Sequence, residues 1–196
     1  MHFIQRPNRH RFLYFVRHGQ YERTEEHPDG TLTELGRRQA GALADRLETL
    51  PLEQVFSSTM YRAQETAQII VDRQFPHLEV QRSTLLREKL FPCGGDYQEL
   101  WDNARPQHRA PEDRVDRIAA RWLRPSNRER HQMLVCHGNV IRAIVTRIIG
   151  NDIDRWMRFG TLNCGLTRVV CWSDGRISVW SYNETAYLPD EYISVG

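Results

Sequence analysis

The chain of 196 residues is 40% hydrophobic and 27% charged, a composition typical of a globular domain with one substantial core. Its formal net charge of +2 lacks the strong basic excess of most nucleic-acid-binding proteins. No apolar run reaches the roughly 18 residues needed to cross a bilayer. We therefore expect one domain over residues 1–196 that binds neither nucleic acid nor membrane.

The four cysteines show neither a C-x-x-C pair nor the spacing of a disulfide framework. Cys136 and Cys171 lie in apolar runs, where a free thiol packs as a small hydrophobic group. Free cysteines are typical of a reducing compartment. The polar, basic residues 1–11 also lack the apolar stretch of a signal peptide. These features predict a cytoplasmic location.

The first predicted strand, over residues 12–16, is apolar and ends abruptly in Arg17, His18 and Gly19. Ligands of α/β sheets gather at the carboxyl ends of strands, so these side chains lie where chemistry is usually done. An imidazole can act as a nucleophile, and a guanidinium can hold an anion beside it. By itself, however, such a tripeptide is more often structural than catalytic.

A charged segment over residues 21–30 follows, placed over the His18 end of the sheet as either a lid or a simple connection. Thr33 is a good N-cap for the next helix, which has an apolar face and ends before Pro51. A second strand is predicted over residues 54–57. The helix after it carries Arg62 in its first turn, either in a surface ion pair or, beside a strand end, as an anion-binding group.

A third strand, at an edge of the sheet, is predicted over residues 78–81. Glu88 follows it, as either a proton donor or a solvated carboxylate. Residues 91–111 are irregular and rich in proline and glycine, which indicates an insertion beside the site. Its aromatic residues either line a substrate groove or cap the core; they are Phe91, Tyr97 and Trp101.

After a helix that begins near Pro111, a fourth strand over residues 132–136 ends in His137, Gly138 and Asn139. A deeply apolar helix comes next, so the backbone N–H groups of Gly138 and Asn139 lie at its N-terminus, ready to receive an anion. Residues 162–172 and 176–182 predict a hairpin.

Two imidazoles and two guanidiniums thus lie at strand ends or in first helical turns of one parallel sheet. Such an excess of positive charge needs an anion, and arginine forks match the oxygens of phosphate. Two histidines can also bind a metal, but Arg17 and Arg62 would repel a cation. The pattern favours a phosphate site with neither metal nor cofactor.

Several motifs occur in the order found in the histidine phosphatase superfamily, which this chain resembles from about residue 12 to residue 167. They are Arg17-His18-Gly19, Leu32-Thr33-Glu34-Leu35-Gly36 with Gln39-Ala40, Ser57-Ser58 with Arg62-Ala63 and Thr66-Ala67, Glu88, and His137-Gly138. Within the superfamily the chain is most similar to the mitochondrial phosphoglycerate-mutase-like serine/threonine protein phosphatases and their bacterial relatives. The motifs that carry this closer similarity are Arg17-His18-x-Gln20-Tyr21, Leu85-Leu86-Arg87-Glu88 and Cys136-His137-x-Asn139-Val140-Ile141-Arg142.

The resemblance implies an α/β three-layer sandwich, with a mainly parallel central sheet flanked by helices. It implies that His18 is the nucleophile that forms a phosphohistidine, and that Glu88 protonates the leaving alcohol and then assists the hydrolytic water. Arg17, Arg62 and His137 would bind the phosphoryl oxygens, with Gly138 and Asn139 beside them. Two further residues are predicted to contact substrate, namely Gln20 and Lys89. For Lys89, which flanks the acid, a solvated loop charge is an equally good alternative.

Mutases of this family usually carry Ser or Thr and then Asn shortly after the Arg-His-Gly motif, and residues 20–24 lack both. Net hydrolysis is therefore the better prediction. The expected substrates are phosphoserine or phosphothreonine proteins, with small sugar or nucleotide phosphates as the alternative. A phosphate-binding scaffold would not need the complete set of nucleophile and acid. The oligomeric state stays open, with a homodimer as one alternative.

Overall fold

A computed structural model describes residues 10–195 of the chain. Its strands and helices follow one another in this order: β1 (Arg11–Arg17), β2 (Tyr21–Glu22), β3 (Thr31–Leu32), α1 (Glu34–Leu47), β4 (Gln54–Ser58), α2 (Tyr61–Gln74), β5 (Val80–Ser83), α3 (Gln98–Asp102), α4 (Arg114–Trp122), β6 (Arg130–Cys136), α5 (Gly138–Ile148), β7 (Leu166–Cys171) and β8 (Ile177–Glu184). The predicted hairpin corresponds to β7 and β8, and the predicted edge strand is β5, shifted by two residues.

The central sheet has six strands in the order β5-β4-β6-β1-β7-β8. The first four run parallel, whereas β7 and β8 are antiparallel to their neighbours. The carboxyl ends of β5, β4, β6 and β1 therefore lie along one edge of the sheet, although these strands are far apart in the sequence. The prediction of a mainly parallel sheet is confirmed.

Both faces of the sheet are covered by helices. Leu13 and Phe15 of β1 pack on the face covered by α4 and α5, and Tyr14 and Val16 pack on the face covered by α1 and α2. This alternation follows from the pleat of a strand, which points successive side chains to opposite faces. Two cores enclose the sheet, and the three-layer prediction is confirmed.

The start of α1 is held against the loop that follows β1. Thr33 caps the helix as predicted, with its Oγ1 accepting the N–H of Gly36 at 3.1 Å. A Cβ added at Gly36 would lie 2.0 Å from the carbonyl oxygen of Gln20, and one at Gly19 would lie 2.6 Å from the carbonyl oxygen of Gly36. Two glycines thus allow the backbone beside His18 to contact the helix directly.

The segment over residues 91–111 contains α3 and short 3-10 turns. Phe91 is buried in the core and Trp101 packs partly against it, whereas Tyr97 is exposed. The four cysteines are free and buried. Within residues 10–195 no helix is long and apolar enough to cross a membrane. Residues 1–9, which form most of the N-terminal segment that lacks a signal-peptide pattern, lie outside the described part.

Candidate active site

The two histidines are brought together by the register of β1 and β6. Arg17 pairs with Cys136 in this parallel ladder, and the N–H of His18 donates to the carbonyl of Cys136 at 3.1 Å. β1 ends at Arg17 and β6 ends at Cys136, and a histidine follows each strand. The ring centroids of His18 and His137 therefore lie 5.0 Å apart. Both side chains are buried.

Hydrogen bonds determine the tautomer of His18. Its Nδ1 lies 2.8 Å from the carbonyl oxygen of Gly19, and because a carbonyl can only accept, Nδ1 carries the proton. Its Nε2 lies 3.0 Å from the Nε of Arg62, which can only donate. The lone pair of the imidazole is therefore on Nε2.

Both imidazoles are kept neutral by their surroundings. Burial lowers the pKa of His18 well below its ordinary value, and the guanidiniums of Arg62 and Arg17 lower it further, against the effect of the Gly19 carbonyl. Burial likewise lowers the pKa of His137, helped by His18, Arg62 and Arg17. A neutral imidazole retains the lone pair that a nucleophile requires.

Arg62 lies in the first turn of α2 at the end of β4, and it is buried rather than paired on the surface. Its guanidinium lies 4.4 Å from the centre of the Tyr21 ring and donates to the carbonyl oxygen of Asp29. The surface alternative is wrong, since Glu65 instead contacts Arg37 and residues 31–32.

Glu88 follows a 3-10 turn after β5 and faces the N-terminus of α5. The Asn139 backbone N–H donates to Glu88 Oε1 at 3.3 Å, and Glu88 Oε2 lies 3.7 Å from Nδ1 of His137. Burial raises the pKa of Glu88 to about 7, although the Asn139 N–H and the guanidiniums of Arg62 and Arg17 favour its ionised form. This carboxyl can therefore exchange a proton near neutral pH.

The remaining predicted phosphate ligands lie beside this pair. Arg17 donates through Nη1 to the carbonyl of Thr161 at 2.6 Å, and His137 Nε2 lies 2.8 Å from the hydroxyl of Ser58. At Gly138, an added Cβ would meet Thr161 Oγ1 at 2.6 Å. The Asn139 N–H, predicted to face an anion, is instead used by the carboxylate of Glu88.

These side chains surround an inner cavity of about 130 Å³, which shares four lining residues with an outer cavity of about 530 Å³. The inner cavity is lined by Arg17, His18, Tyr21, Arg62, Glu88, Gly138, Asn139, Arg142 and Thr161. The outer cavity is lined by Tyr21, Arg23, Pro28, Asp29, Met60, Arg62, Arg87, Glu88, Lys89, Leu90, Gln107, His108 and Asn139.

The two predicted substrate contacts have different outcomes. Lys89 lines the outer cavity, and its Nζ donates to the carbonyl of Gln107. Gln20 lines neither cavity, because its side chain accepts a hydrogen bond from Thr33 Oγ1 at 2.8 Å. The structure thus corrects the prediction for Gln20, which supports the N-cap of α1 instead.

Four residues of the site have no role predicted from the sequence, although the first three of them stand in the family motifs: Tyr21, Ser58, Arg142 and Thr161. Arg142 lies one helical turn after Gly138, so helix periodicity could have indicated it. Thr161, in the connection after α5, carries no comparable signal. Its buried Oγ1 and the buried Nε of Arg142 have no hydrogen-bond partner within residues 10–195.

The arrangement can bind a small anion and present a nucleophile to it. Three guanidiniums face one cavity with a neutral imidazole lone pair and a carboxyl group able to carry a proton. Guanidinium forks match the tetrahedral oxygens of a phosphoryl group. In the described part of the chain, no three His, Cys, Asp or Glu side chains are grouped so as to hold a metal ion.

Comparison with known proteins identifies a family and several named relatives. A model of the histidine phosphatase superfamily (branch 1) matches residues 13–114 and 94–185. The mitochondrial serine/threonine-protein phosphatase Pgam5 of Caenorhabditis briggsae is 32% identical over 193 residues, covering 94% of this chain and 66% of the relative. The PGAM5 protein of Homo sapiens is 30% identical over 205 residues, covering 98% of this chain and 68% of the relative.

Solved structures agree on the fold. A mycobacterial glucosyl-3-phosphoglycerate phosphatase is 25% identical with a TM-score of 0.66, covering 90% of this chain and all of that one (100%). A phosphoglycerate mutase from Plasmodium falciparum is 26% identical with a TM-score of 0.63, covering 96% and 99% of the two chains.

The relatives correct one prediction and support another. The cytoplasmic location is contradicted, since the curated relatives are named as mitochondrial; free cysteines indicate a reducing environment, which is not particular to the cytoplasm. The chain spans about two thirds of the length of those relatives, 66% of the Caenorhabditis briggsae protein and 68% of the human one. The family model and the mycobacterial phosphatase support the prediction of a phosphomonoester hydrolase. The chain belongs to the histidine phosphatase superfamily, branch 1.

Proposed function

We propose that this protein is a metal-independent phosphatase that hydrolyses phosphomonoesters through a phosphohistidine on His18. The observation that carries the proposal is the tautomer of His18, which places its lone pair on Nε2 in a cavity lined by three guanidiniums. A binding protein would need the cations but not an oriented, neutral imidazole beside a carboxyl group that exchanges its proton near neutral pH.

In the first step, Nε2 of His18 attacks phosphorus, the P–N bond forms and the P–O bond to the alcohol breaks. The leaving oxygen takes its proton from Glu88. Arg17, Arg62 and His137 bind the phosphoryl oxygens, where charge accumulates. The imidazolium that results keeps its Nδ1–H on the carbonyl of Gly19. Arg62 leaves Nε2 as the phosphoryl group arrives, exchanging a nitrogen acceptor for an oxygen.

In the second step, the ionised Glu88 accepts a proton from a water molecule, whose oxygen attacks the phosphorus of phosphohistidine. The P–N bond breaks, inorganic phosphate is released and the neutral imidazole returns. A pKa of about 7 suits Glu88 to both directions of transfer. The guanidiniums supply the positive charge throughout, so the steps require no metal ion.

We propose phosphoserine or phosphothreonine proteins as substrates. The relatives named as serine/threonine-protein phosphatases support this, as does the outer cavity, whose rim residues Arg23, Gln107 and His108 are exposed. A wall of exposed residues leaves room for a polypeptide to continue past the site.

Small phosphate esters are the second candidate. The outer cavity of about 530 Å³ lies within the size range of small-molecule sites, and the chain is similar to a glucosyl-3-phosphoglycerate phosphatase. The two candidates differ in what the outer cavity holds, and not in the proposed chemistry on His18.

Turnover by the wild type and His18→Ala tests the proposal, with exposed His77→Ala as the matched control. Substrates are an aryl phosphate, phosphoserine and phosphothreonine peptides, and 3-phosphoglycerate, all with EDTA. We expect loss of all turnover in His18→Ala, retention in His77→Ala, and peptides as the preferred substrates. Turnover that survives in folded His18→Ala would refute the nucleophile. Preference for small esters would select the second candidate, and silence on all substrates would favour a phosphate-binding scaffold.

A further inference from the structure

We infer that the outer cavity binds acidic side chains next to the phosphorylated residue, so that the preferred substrates are phosphoproteins with acidic flanks. This inference rests on the proposed function, because it requires the phosphoryl group to occupy the inner cavity. It names a substrate class that the chemistry on His18 does not itself determine.

The two cavities adjoin each other. Tyr21, Arg62, Glu88 and Asn139 line both, and the passage inferred between the cavities runs past these four side chains. Successive Cα atoms of a polypeptide lie about 3.8 Å apart. A phosphorylated side chain that reaches through this passage to His18 therefore leaves the neighbouring residues of its chain in the outer cavity.

The outer cavity carries uncompensated positive charge at its rim and floor. Arg23 is exposed and, within residues 10–195, its side chain makes neither an ion pair nor a hydrogen bond. Lys89 donates to the backbone carbonyl of Gln107, and within residues 10–195 it pairs with no carboxylate. Burial lowers the pKa of Lys89, and the charges of Arg114 and Arg87 lower it further, as expected where cations gather.

The acidic residues of this cavity do not cancel that charge. Asp29 is already paired with Arg87 at 3.3 Å, and Arg87 also donates to Thr59 Oγ1 at 3.1 Å. Glu88 lies at the passage, where it exchanges its proton near neutral pH. Arg23 and Lys89 thus remain as cations on the path of the substrate chain, and they match carboxylates of aspartate or glutamate.

Three peptides test the inference, identical except that the residues flanking one phosphothreonine are acidic, alanine or basic. For the wild type we expect kcat/KM to fall in that order, by roughly two- to fivefold for each ion pair, the range of exposed pairs. The preference should weaken at high salt, because exposed charges are screened. Equal kcat/KM for all three peptides would overturn the inference while leaving the phosphatase intact.

Arg23→Ala and Lys89→Ala locate the preference. We expect each to reduce the ratio of kcat/KM for the acidic peptide to that for the alanine peptide, whereas exposed Arg124→Ala, outside both cavities, should keep the wild-type ratio. A ratio unchanged in both cavity variants would overturn the assignment of the outer cavity. Each ratio is taken within one variant, so a general loss of activity does not affect it.

A binding measurement tests this inference independently of hydrolysis. Labelled peptides are titrated into His18→Ala, which changes no residue that lines the outer cavity, and fluorescence anisotropy gives their Kd. Tighter binding of the acidic peptide supports the inference even if no peptide is hydrolysed by the wild type, a result that would refute the proposed function alone. Equal Kd values for all three peptides would overturn the inference.

The chain contains one lysine, which allows a direct footprint of the outer cavity. An amine acetylating reagent is applied to His18→Ala with and without saturating acidic phosphopeptide, and mass spectrometry measures acetylation of Lys89. Free lysine added to the reaction is the internal control. We expect the peptide to slow acetylation of Lys89 severalfold and to leave the control unchanged. Equal acetylation of Lys89 at saturation would contradict its place in the peptide site.

Discussion

The Nε–H of Arg62 donates to Nε2 of His18 across 3.0 Å, so the guanidinium covers the atom that holds the imidazole lone pair. The same guanidinium stacks on Tyr21 and donates to the carbonyl of Asp29. Arg62 is therefore oriented by the segment over residues 21–30, and this segment is part of the site as well as a connection.

Arg62 has two proposed roles: it binds the phosphoryl group, and it covers Nε2 of His18. Arg62→Lys keeps the charge but removes the planar fork, and we expect kcat/KM for an aryl phosphate to fall by about 10²-fold, the typical cost of a lost donor to the reacting group. Because Nε2 of His18 loses its cover, the variant should also react faster with diethyl pyrocarbonate, followed at the modified histidine by mass spectrometry. Arg73→Lys, on the exposed end of α2, is the control. Unchanged kcat/KM in Arg62→Lys would contradict the contact with the phosphoryl group.

The pKa of Glu88, raised to about 7, predicts the pH dependence of turnover. Below pH 7 the carboxyl is protonated and can protonate a leaving alcohol, whereas above it this form declines about tenfold for each pH unit. We expect kcat/KM for an alkyl phosphate to fall above that pH in the wild type. Glu88→Gln should lose about 10²- to 10⁴-fold at its optimum and show no such decline. An aryl phosphate, whose leaving group needs no proton, should lose less; equal losses would contradict the acid role.

The raised pKa of Glu88 makes stability depend on pH in the opposite direction from the lowered pKa values of His18 and His137. The folded state holds a proton on Glu88 up to about pH 7, whereas the unfolded chain loses it near 4.5, so this residue makes the protein less stable as pH rises between those values. The lowered pKa values of His18 and His137 make it less stable as pH falls below 6.5.

Both histidines are present in the wild type and in Glu88→Gln, so their contributions cancel in the difference. Relative to the wild type, we expect the free energy of unfolding of Glu88→Gln to rise by about 1 kcal/mol per pH unit between pH 5 and 6.5. Urea denaturation at three pH values measures this. A difference that does not change with pH would contradict the raised pKa.

Two glycines of α1 form a matched pair for stability. A Cβ at Gly36 would lie 2.0 Å from the Gln20 carbonyl, whereas at Gly41 its nearest neighbour is Nη1 of Arg73 at an ordinary 3.7 Å. We expect Gly36→Ala to lower the free energy of unfolding by about 1–3 kcal/mol and to reduce turnover, since the backbone next to His18 must move. Gly41→Ala should raise it by about 0.5–1 kcal/mol. Equal effects in urea denaturation would contradict the close approach.

Arg142 is expected to contribute to phosphate binding. Its Nε is buried and has no hydrogen-bond partner in residues 10–195, and its guanidinium faces the inner cavity. Arg142→Met keeps the length of the side chain without its charge. We expect the inhibition constant of inorganic phosphate to rise by roughly tenfold or more, as for a lost hydrogen bond to a charged group. An unchanged constant, in a variant with unchanged Tm, would show that Arg142 does not reach the anion.

The sequence by itself determined which residues end the strands. Apolar runs stop at Arg17, His18 and His137, and a cap at Thr33 begins α1, because periodicity and capping depend on near neighbours in the chain. Once these runs are assigned to one parallel sheet, the meeting of the two histidines follows from the geometry of parallel strands. The six-stranded order and the exact ends of β5 did not follow from local signals.

Tertiary structure alone decided how the side chains are used. The proton on Nδ1 of His18, the diversion of Gln20 to Thr33, and the contacts of Arg62 with Asp29 and Tyr21 each depend on partners from other segments. Arg142 and Thr161 join the site for the same reason. A local pattern fixes the direction of a backbone element, but the rotamer, tautomer and pKa of a buried side chain are set by whatever the fold packs against it.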